Sequence, residues 1–217
     1  NDGNVIIAGN YRGTYLAWEN DTIEGTYEHY LLFLKVDNDG NFIWANLPYG
    51  SSPIYCYDVT VDSENDIYAT GHISDTVYFD TTQITLNYKD QLFVTGISKD
   101  GNVKWVKTTE SGSVFGSAEG TAISCDINNK IYIAGKYEND VSFGEYQLST
   151  NYYLGFDGLI TKMSGNGTIE WISTIYNNPV KQNNRLYLFK AQPVVLAGDQ
   201  QLDKTEDIEV VLKPLAA

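Results

Sequence analysis

Asp39-Gly40-Asn41-Phe42-Ile43-Trp44 recurs as Asp100-Gly101-Asn102-Val103-Lys104-Trp105 and as Asn166-Gly167-Thr168-Ile169-Glu170-Trp171, with tryptophan spacings of 61 and 66 residues. A second marker keeps step with it: Val5-Ile6-Ile7-Ala8-Gly9, Ile67-Tyr68-Ala69-Thr70-Gly71 and Ile131-Tyr132-Ile133-Ala134-Gly135. Two markers in phase over three copies define a repeat, and a fixed period dictates architecture. Repeats encode a scaffold, so function is sought in what the copies do not share.

Copy two shows the unit most plainly. Tyr57-Asp58-Val59-Thr60-Val61 alternates with the period of a half-buried strand, Asp62-Ser63-Glu64-Asn65 is a turn cluster, and residues 66–72 form a second strand. A longer segment, 73–90, contains a short extra hairpin at Val77-Tyr78-Phe79 and Ile84-Thr85-Leu86. A third strand at 91–97 leads through Asp100-Gly101, which supplies the positive φ of a tight hairpin, to a fourth at 103–107. Copy three repeats this order. Copy one has only the last three strands, and a fourth copy is degraded. Four antiparallel strands per unit predict an all-β fold: a β-propeller segment of about 3.5–4 four-stranded blades, with the ring incomplete. The whole chain, 1–217, reads as one propeller region: blade 1 at 1–49 without its first strand, blade 2 at 50–110, blade 3 at 111–177, and partial blade 4 at 178–217. The structural positions of the repeat are Gly9, Gly71 and Gly135 with Trp44, Trp105 and Trp171, the tryptophans capping the seam to the adjacent blade.

The unit resembles the bacterial β-propeller-repeat family, known as SBBP for seven-bladed bacterial β-propeller. The resemblance rests on Asp66-Ile67-Tyr68-Ala69-Thr70-Gly71, on Lys130 to Gly135, on Phe143-Gly144, on Lys35 and Lys162, and on the three Asp/Asn-Gly…Trp turns. It covers nearly the whole chain. It implies a propeller and an extracellular or cell-surface location, and it is almost silent on activity. The turn Ser98-Lys99-Asp100-Gly101…Trp105 also resembles the sialidase Asp-box, with its glycine one place early. That motif is itself structural.

Composition narrows the partner classes. The 217 residues are 42% hydrophobic and carry 17 Tyr and 4 Trp against a single Met, which suits strands. Lys and Arg number 14 and Asp and Glu 28, a net charge of −14. Nucleic-acid binding needs a basic footprint, and a polybasic membrane contact needs the same. No run of 18 apolar residues is present, so no membrane insertion is expected. Cys125 aligns with Val61 rather than Cys56, which separates the two thiols by roughly 16 Å at ~3.3 Å per strand residue. Both are expected to be free and buried.

The chemical constellations are thin. Asp37-Asn38-Asp39-Gly40-Asn41 has the look of a calcium loop, but position 46 is Asn where a bidentate Glu is required, so a hairpin turn is expected. His29 and His72 stand without metal-spaced partners, and His72 aligns with Asn10 and Lys136 in a variable slot expected at the surface. No cofactor or metal is expected. The non-repeated signal is aromatic: Tyr11, Tyr15, Trp18 and Tyr27 in the copy-one insert, Tyr78 and Tyr88 in copy two, Tyr152 and Tyr153 in copy three. Loops joining strands two to three, and one blade to the next, emerge on the same face, so the long variable segments collect there. The expectation is a non-enzymatic binding or structural module that holds a protein or glycan on that face. The alternatives are a propeller-based carbohydrate-active hydrolase or lyase, and a module that self-associates through open blade edges to complete a ring.

Overall fold

The computed structural model describes residues 3–13, 15–18, 21–24, 29–87, 90–150 and 155–175. Partial blade 4 at 178–217, and with it Tyr27, Tyr88, Tyr152 and Tyr153, lie outside the described residues. Within them the chain is all strand and turn. Blade 1 contains β1 (Val5–Arg12), an insert hairpin of β2 (Tyr15–Trp18) and β3 (Asp21–Glu24), then β4 (His29–Val36) and β5 (Phe42–Asn46). A two-residue strand, β6 (Tyr49–Gly50), leads to blade 2: β7 (Tyr55–Val61), β8 (Ile67–Ile73), the hairpin β9 (Thr76–Phe79) and β10 (Thr82–Thr85), β11 (Gln91–Ile97) and β12 (Val103–Glu110). Blade 3 follows the same order with β13 (Ser117–Cys125), β14 (Lys130–Glu138), the hairpin β15 (Val141–Phe143) and β16 (Tyr146–Leu148), β17 (Asp157–Ser164) and β18 (Ile169–Ile175). All pairings are antiparallel, giving β7-β8-β11-β12 and β13-β14-β17-β18 as four-stranded blades and β1-β4-β5 as a three-stranded one. Four alternating strands repeated along the chain are a β-propeller-like fold, as the period predicts.

Alternation decides how blades stack. On blade 2, Ile67, Ala69 and Ile73 with Phe93 and Ile97 face blade 1, where they meet Leu31 and Phe33. The intervening residues Tyr68, Leu92 and Val94 face blade 3 and meet Ala118, Ile123, Ile131 and Ile133. Every residue of β8 and β11 is therefore buried, although an isolated sheet would expose half of them.

The tryptophans close the seams. The Trp44 indole N–H donates to the Lys99 carbonyl at 3.0 Å, and that of Trp105 donates to the Gly165 carbonyl at 2.9 Å, each in the third-to-fourth-strand turn of the next blade. Gly101 and Gly167 sit in those turns at φ of 90° and 83°, and a Cβ at either would lie 2.8 Å from the indole of the preceding blade. The first-to-second-strand turns make the same backbone hydrogen bonds but place Asn65 and Asn129 at the left-handed position. Glycine is thus demanded by the ring as much as by φ.

Two features were not expressed in the pattern. The insert hairpins pair backwards. Hairpin β9-β10 adds to β6, through Tyr49↔Tyr78 and Gly50↔Val77, and β15-β16 adds to β12, through Thr109↔Phe143 and Glu110↔Ser142. Each hairpin straps its blade to the one before. Asp80, at the tip of the first, accepts from Asn46 Nδ2 at 2.8 Å in blade 1 and from the Val103 N–H at 2.9 Å in blade 2.

The second feature is a bulge at one height in both first strands, between Cys56 and Asp58 and between Gly120 and Ala122. It presses the Tyr55 carbonyl against Gly71 and the Glu119 carbonyl against Gly135, leaving no room for a Cβ at either. Gly9 holds the same repeat position on β1, where no first strand is among the described residues, and nothing lies within 4 Å of its Cβ site. Gly71→Ala is therefore expected to lower the urea midpoint by the equivalent of about 1–3 kcal/mol, the usual cost of overpacking. Gly9→Ala should be neutral or stabilising by up to ~1 kcal/mol, because strand glycine is entropically costly. Equal losses from the two substitutions would contradict this assignment.

Candidate functional site

The bulge also builds the most unusual surface. Tyr55 pairs with His72, Cys56 with Gly71 and Asp58 with Thr70, so Tyr57 is the extra residue. A bulge re-aims its extra side chain, and here both tyrosines converge on the imidazole. The Tyr55 ring centroid lies 4.8 Å from that of His72, the Tyr57 centroid 5.5 Å, and the two tyrosines are 6.4 Å apart at 20°. Tyr55 and Tyr57 are 38% and 48% exposed, while His72 beneath them is 7% exposed.

His72 Nε2 stands 3.8 Å from the half-exposed Asp90 carboxylate, too far for a hydrogen bond, and its buried Nδ1 has no partner among the described residues. An unpaired buried nitrogen costs free energy and calls for an explanation. Burial pushes the His72 pKa down from its ordinary 6.5, against the pull of Asp90 and Glu119 and with a small push from Lys136. On the neighbouring blade Glu119 pairs with Lys136 at 3.2 Å, and that ammonium lies 4.5 Å from the centre of the Phe156 ring. Burial and then the nearby Glu119, Tyr55 and Asp90 raise the Tyr57 pKa. The cluster sits where β7 begins and β8 ends, on the face from which the inserts emerge. Phe115, in the blade 2 to blade 3 linker, is exposed on the same side.

The expectation for His72 is thus corrected. It aligns with Asn10 and Lys136 as the sequence indicates, but two tyrosines roof it over. The slot reaches the next blade in two of its three copies: Asn10 Oδ1 accepts from the Cys56 N–H at 2.9 Å, and Glu119 lies beside His72. Sequence reasoning passed over Tyr55, Tyr57 and Glu119 as site residues. The signal that points to them is the variable slot itself, read together with the pair of tyrosines two residues apart on the facing strand.

The other aromatic positions fall differently. Tyr11 pairs with Tyr30, Tyr30 with Tyr49 and Tyr49 with Tyr78, and their rings contact in series at 6.2, 6.4 and 4.9 Å. Tyr11 and Tyr78 are thus the ends of a ladder across four strands. The Tyr11 hydroxyl donates to the Tyr15 carbonyl. Tyr15 is exposed, and Trp18 closes β2 opposite Asp21.

The opposite face holds an open cleft of about 520 Å³, lined in part by Asp62, Asp66, Tyr68, Lys104, Trp105 and Lys130. Its aspartates are already engaged. Asp62 Oδ1 accepts from the Glu64 and Asp66 N–H groups, and Oδ2 accepts from the Tyr68 hydroxyl, all at 2.9 Å. Asp126 repeats this arrangement with Asn128, Lys130 and Tyr132. Asp66 pairs with Lys104, and Lys130 with Glu170. Asp37 closes its own turn by accepting from the Asp39 and Asn41 N–H groups and the Asn41 amide, which holds its carboxyl below the ordinary range. Among the described residues no group of three metal-binding side chains converges. Cys56 and Cys125 are free and half-buried, and burial pushes both thiols up to about 12.

No family model matches the chain. A protein of Acanthamoeba polyphaga mimivirus described as an uncharacterized WD repeat-containing protein is 27% identical to it over 154 residues, 63% of this chain. The chain spans 11% of that relative's length. The likeness agrees with the repeated sheets. This is a β-propeller-type repeat chain.

The propeller's buried imidazole makes stability depend on pH. The unfolded chain takes up a proton near 6.5 and the folded chain only at lower pH, so the folded state loses stability as pH falls through 6.5. Replacing His72 with Gln should flatten the stability curve between pH 7 and pH 5 in urea titrations; an unchanged slope would show that another group controls it.

Proposed function

We propose that this chain is a non-enzymatic propeller-type binding module that holds a protein partner on the insert-bearing face. One observation carries the reading. Exposed Tyr55 and Tyr57 cover a buried His72, whose Nδ1 has no hydrogen-bond partner among the described residues, at the slot where the blades differ in sequence, and Phe115 and Phe156 are exposed on the same face. Tyrosine provides contact area at small entropic cost and is enriched among the residues that anchor protein interfaces. The engagement of Asp62, Asp66 and Asp126 within their turns and ion pairs supports a binding rather than a hydrolytic role. The WD-repeat likeness supports the same reading, and the resemblance of the repeat to bacterial β-propeller repeats adds an extracellular or cell-surface setting to the proposal.

The test is comparative capture. Wild type, the Tyr55→Ala/Tyr57→Ala double variant and Ile127→Ala, which alters a fully exposed side chain in a turn of the opposite face, would be used as baits in extract from the native source. A partner should be retained by wild type and Ile127→Ala and reduced about tenfold or more with the tyrosine variant. Equal retention by all three baits would remove the face assignment.

A further inference from the structure

We propose that the partner presents a basic segment, with a lysine or arginine side chain seated on the Tyr55 and Tyr57 rings against the Asp90 carboxylate. This rests on the binding-module reading and names the partner's chemistry.

Three independent observations converge on it. The first is charge left over at one place. Glu119 is matched by Lys136, whereas Asp90, half exposed at the edge of the tyrosine pair, faces only the neutral His72 at 3.8 Å and has no cation beside it among the described residues. A Lys or Arg brought by a partner would complete a pair that the described residues do not make.

The second is the buried imidazole. His72 is 7% exposed, lies under both rings, and has an Nδ1 that no described residue satisfies. Burial keeps it uncharged at neutral pH, so the floor of the site does not repel a cation. The third is a working example next door. Lys136 rests 4.5 Å from the Phe156 centroid while paired to Glu119, an aromatic ring and a carboxylate sharing one ammonium within the same cluster. The Tyr55, Tyr57 and Asp90 group has the ring and carboxylate parts of that arrangement and lacks the cation. A net charge of −14 draws a basic segment toward the molecule, and the tyrosine pair then fixes where it docks.

The groups facing His72 are Tyr55 and Tyr57 from β7, Asp90 before β11, Glu119 from β13 and Lys136 from β14. Protonating His72 places a positive charge beneath the seat, so acid should weaken a basic ligand and would not weaken a neutral one.

Fluorescence anisotropy with labelled hexalysine and hexaarginine peptides, hexaglutamate and a neutral oligosaccharide tests this on the whole chain. A basic peptide should bind at low salt. Asp90→Asn, which keeps the backbone acceptor that Asp90 offers to the Ala118 N–H, should weaken it about 5- to 10-fold. Tyr57→Ala should weaken it similarly and Tyr57→Phe should retain it. Glu64→Gln, on the opposite face, should stay within about twofold of wild type. Lowering the pH from 7 to 5.5 should weaken binding in wild type more than in His72→Gln. Equal losses from Asp90→Asn and Glu64→Gln would reduce the effect to overall charge and overturn the proposal, as would no binding of either basic peptide or preferential binding of hexaglutamate or the oligosaccharide. If the tyrosine double variant loses the captured partner while basic peptides do not bind, the binding face stands and the basic partner falls. If neither depends on the tyrosines, both readings fall.

Discussion

Each described seam depends on an indole set against a glycine turn of the next blade. Trp44 on Gly101 and Trp105 on Gly167 combine three requirements in one contact: a ring face to cover, a carbonyl to receive the indole N–H, and a turn whose left-handed residue has no side chain. A blade alone has two apolar faces and no means of burying either. Once the indole is docked, the alternating residues of β8 and β11 meet a partner on both sides, and the rows of isoleucine, phenylalanine and valine become core. The contact also sets the height of the blades against one another, so that strand ends, bulges and inserts collect at constant levels.

That fixed level is what makes a site from unremarkable residues. His72 belongs to blade 2, Glu119 and Lys136 to blade 3, and Tyr57 reaches the cluster only because a bulge makes it the surplus residue of its strand. The bulge serves a structural end, bringing a carbonyl against Gly71, and has a chemical consequence in turning a second aromatic ring over the histidine. The aromatic cluster is thus a by-product of the way the inner strand is fitted, and the slot holds Asn10, His72 and Lys136 on three blades of the same strand order.

Much of the scaffold was legible because periodicity is a property of the chain itself. The tryptophan phase predicted the seams, and Asp100-Gly101 predicted the turn. The insert hairpins were visible as alternating segments, but not their attachment to the preceding blade, because a hairpin's pattern is the same whichever edge receives it. His72 was read as a surface residue since its column is polar and variable; its burial comes from Tyr55 and Tyr57, whose approach depends on a bulge that has no distinct sequence signature. Tyr11 and Tyr78 drew notice as surplus aromatics, and a ladder across four strands accounts for them through registers that only the pairing reveals.

The backward-pairing hairpins alter what counts as a separable piece of this protein. Because β9-β10 is joined to β6 and β15-β16 to β12, the boundary drawn between sheets is not the boundary between cooperative units. Peeling one blade from the stack means tearing backbone hydrogen bonds from its neighbour as well as parting side chains. Under tension applied at the chain ends, the repeats would resist like overlapping roof tiles, each held down by the next, rather than coming away one at a time like beads from a string.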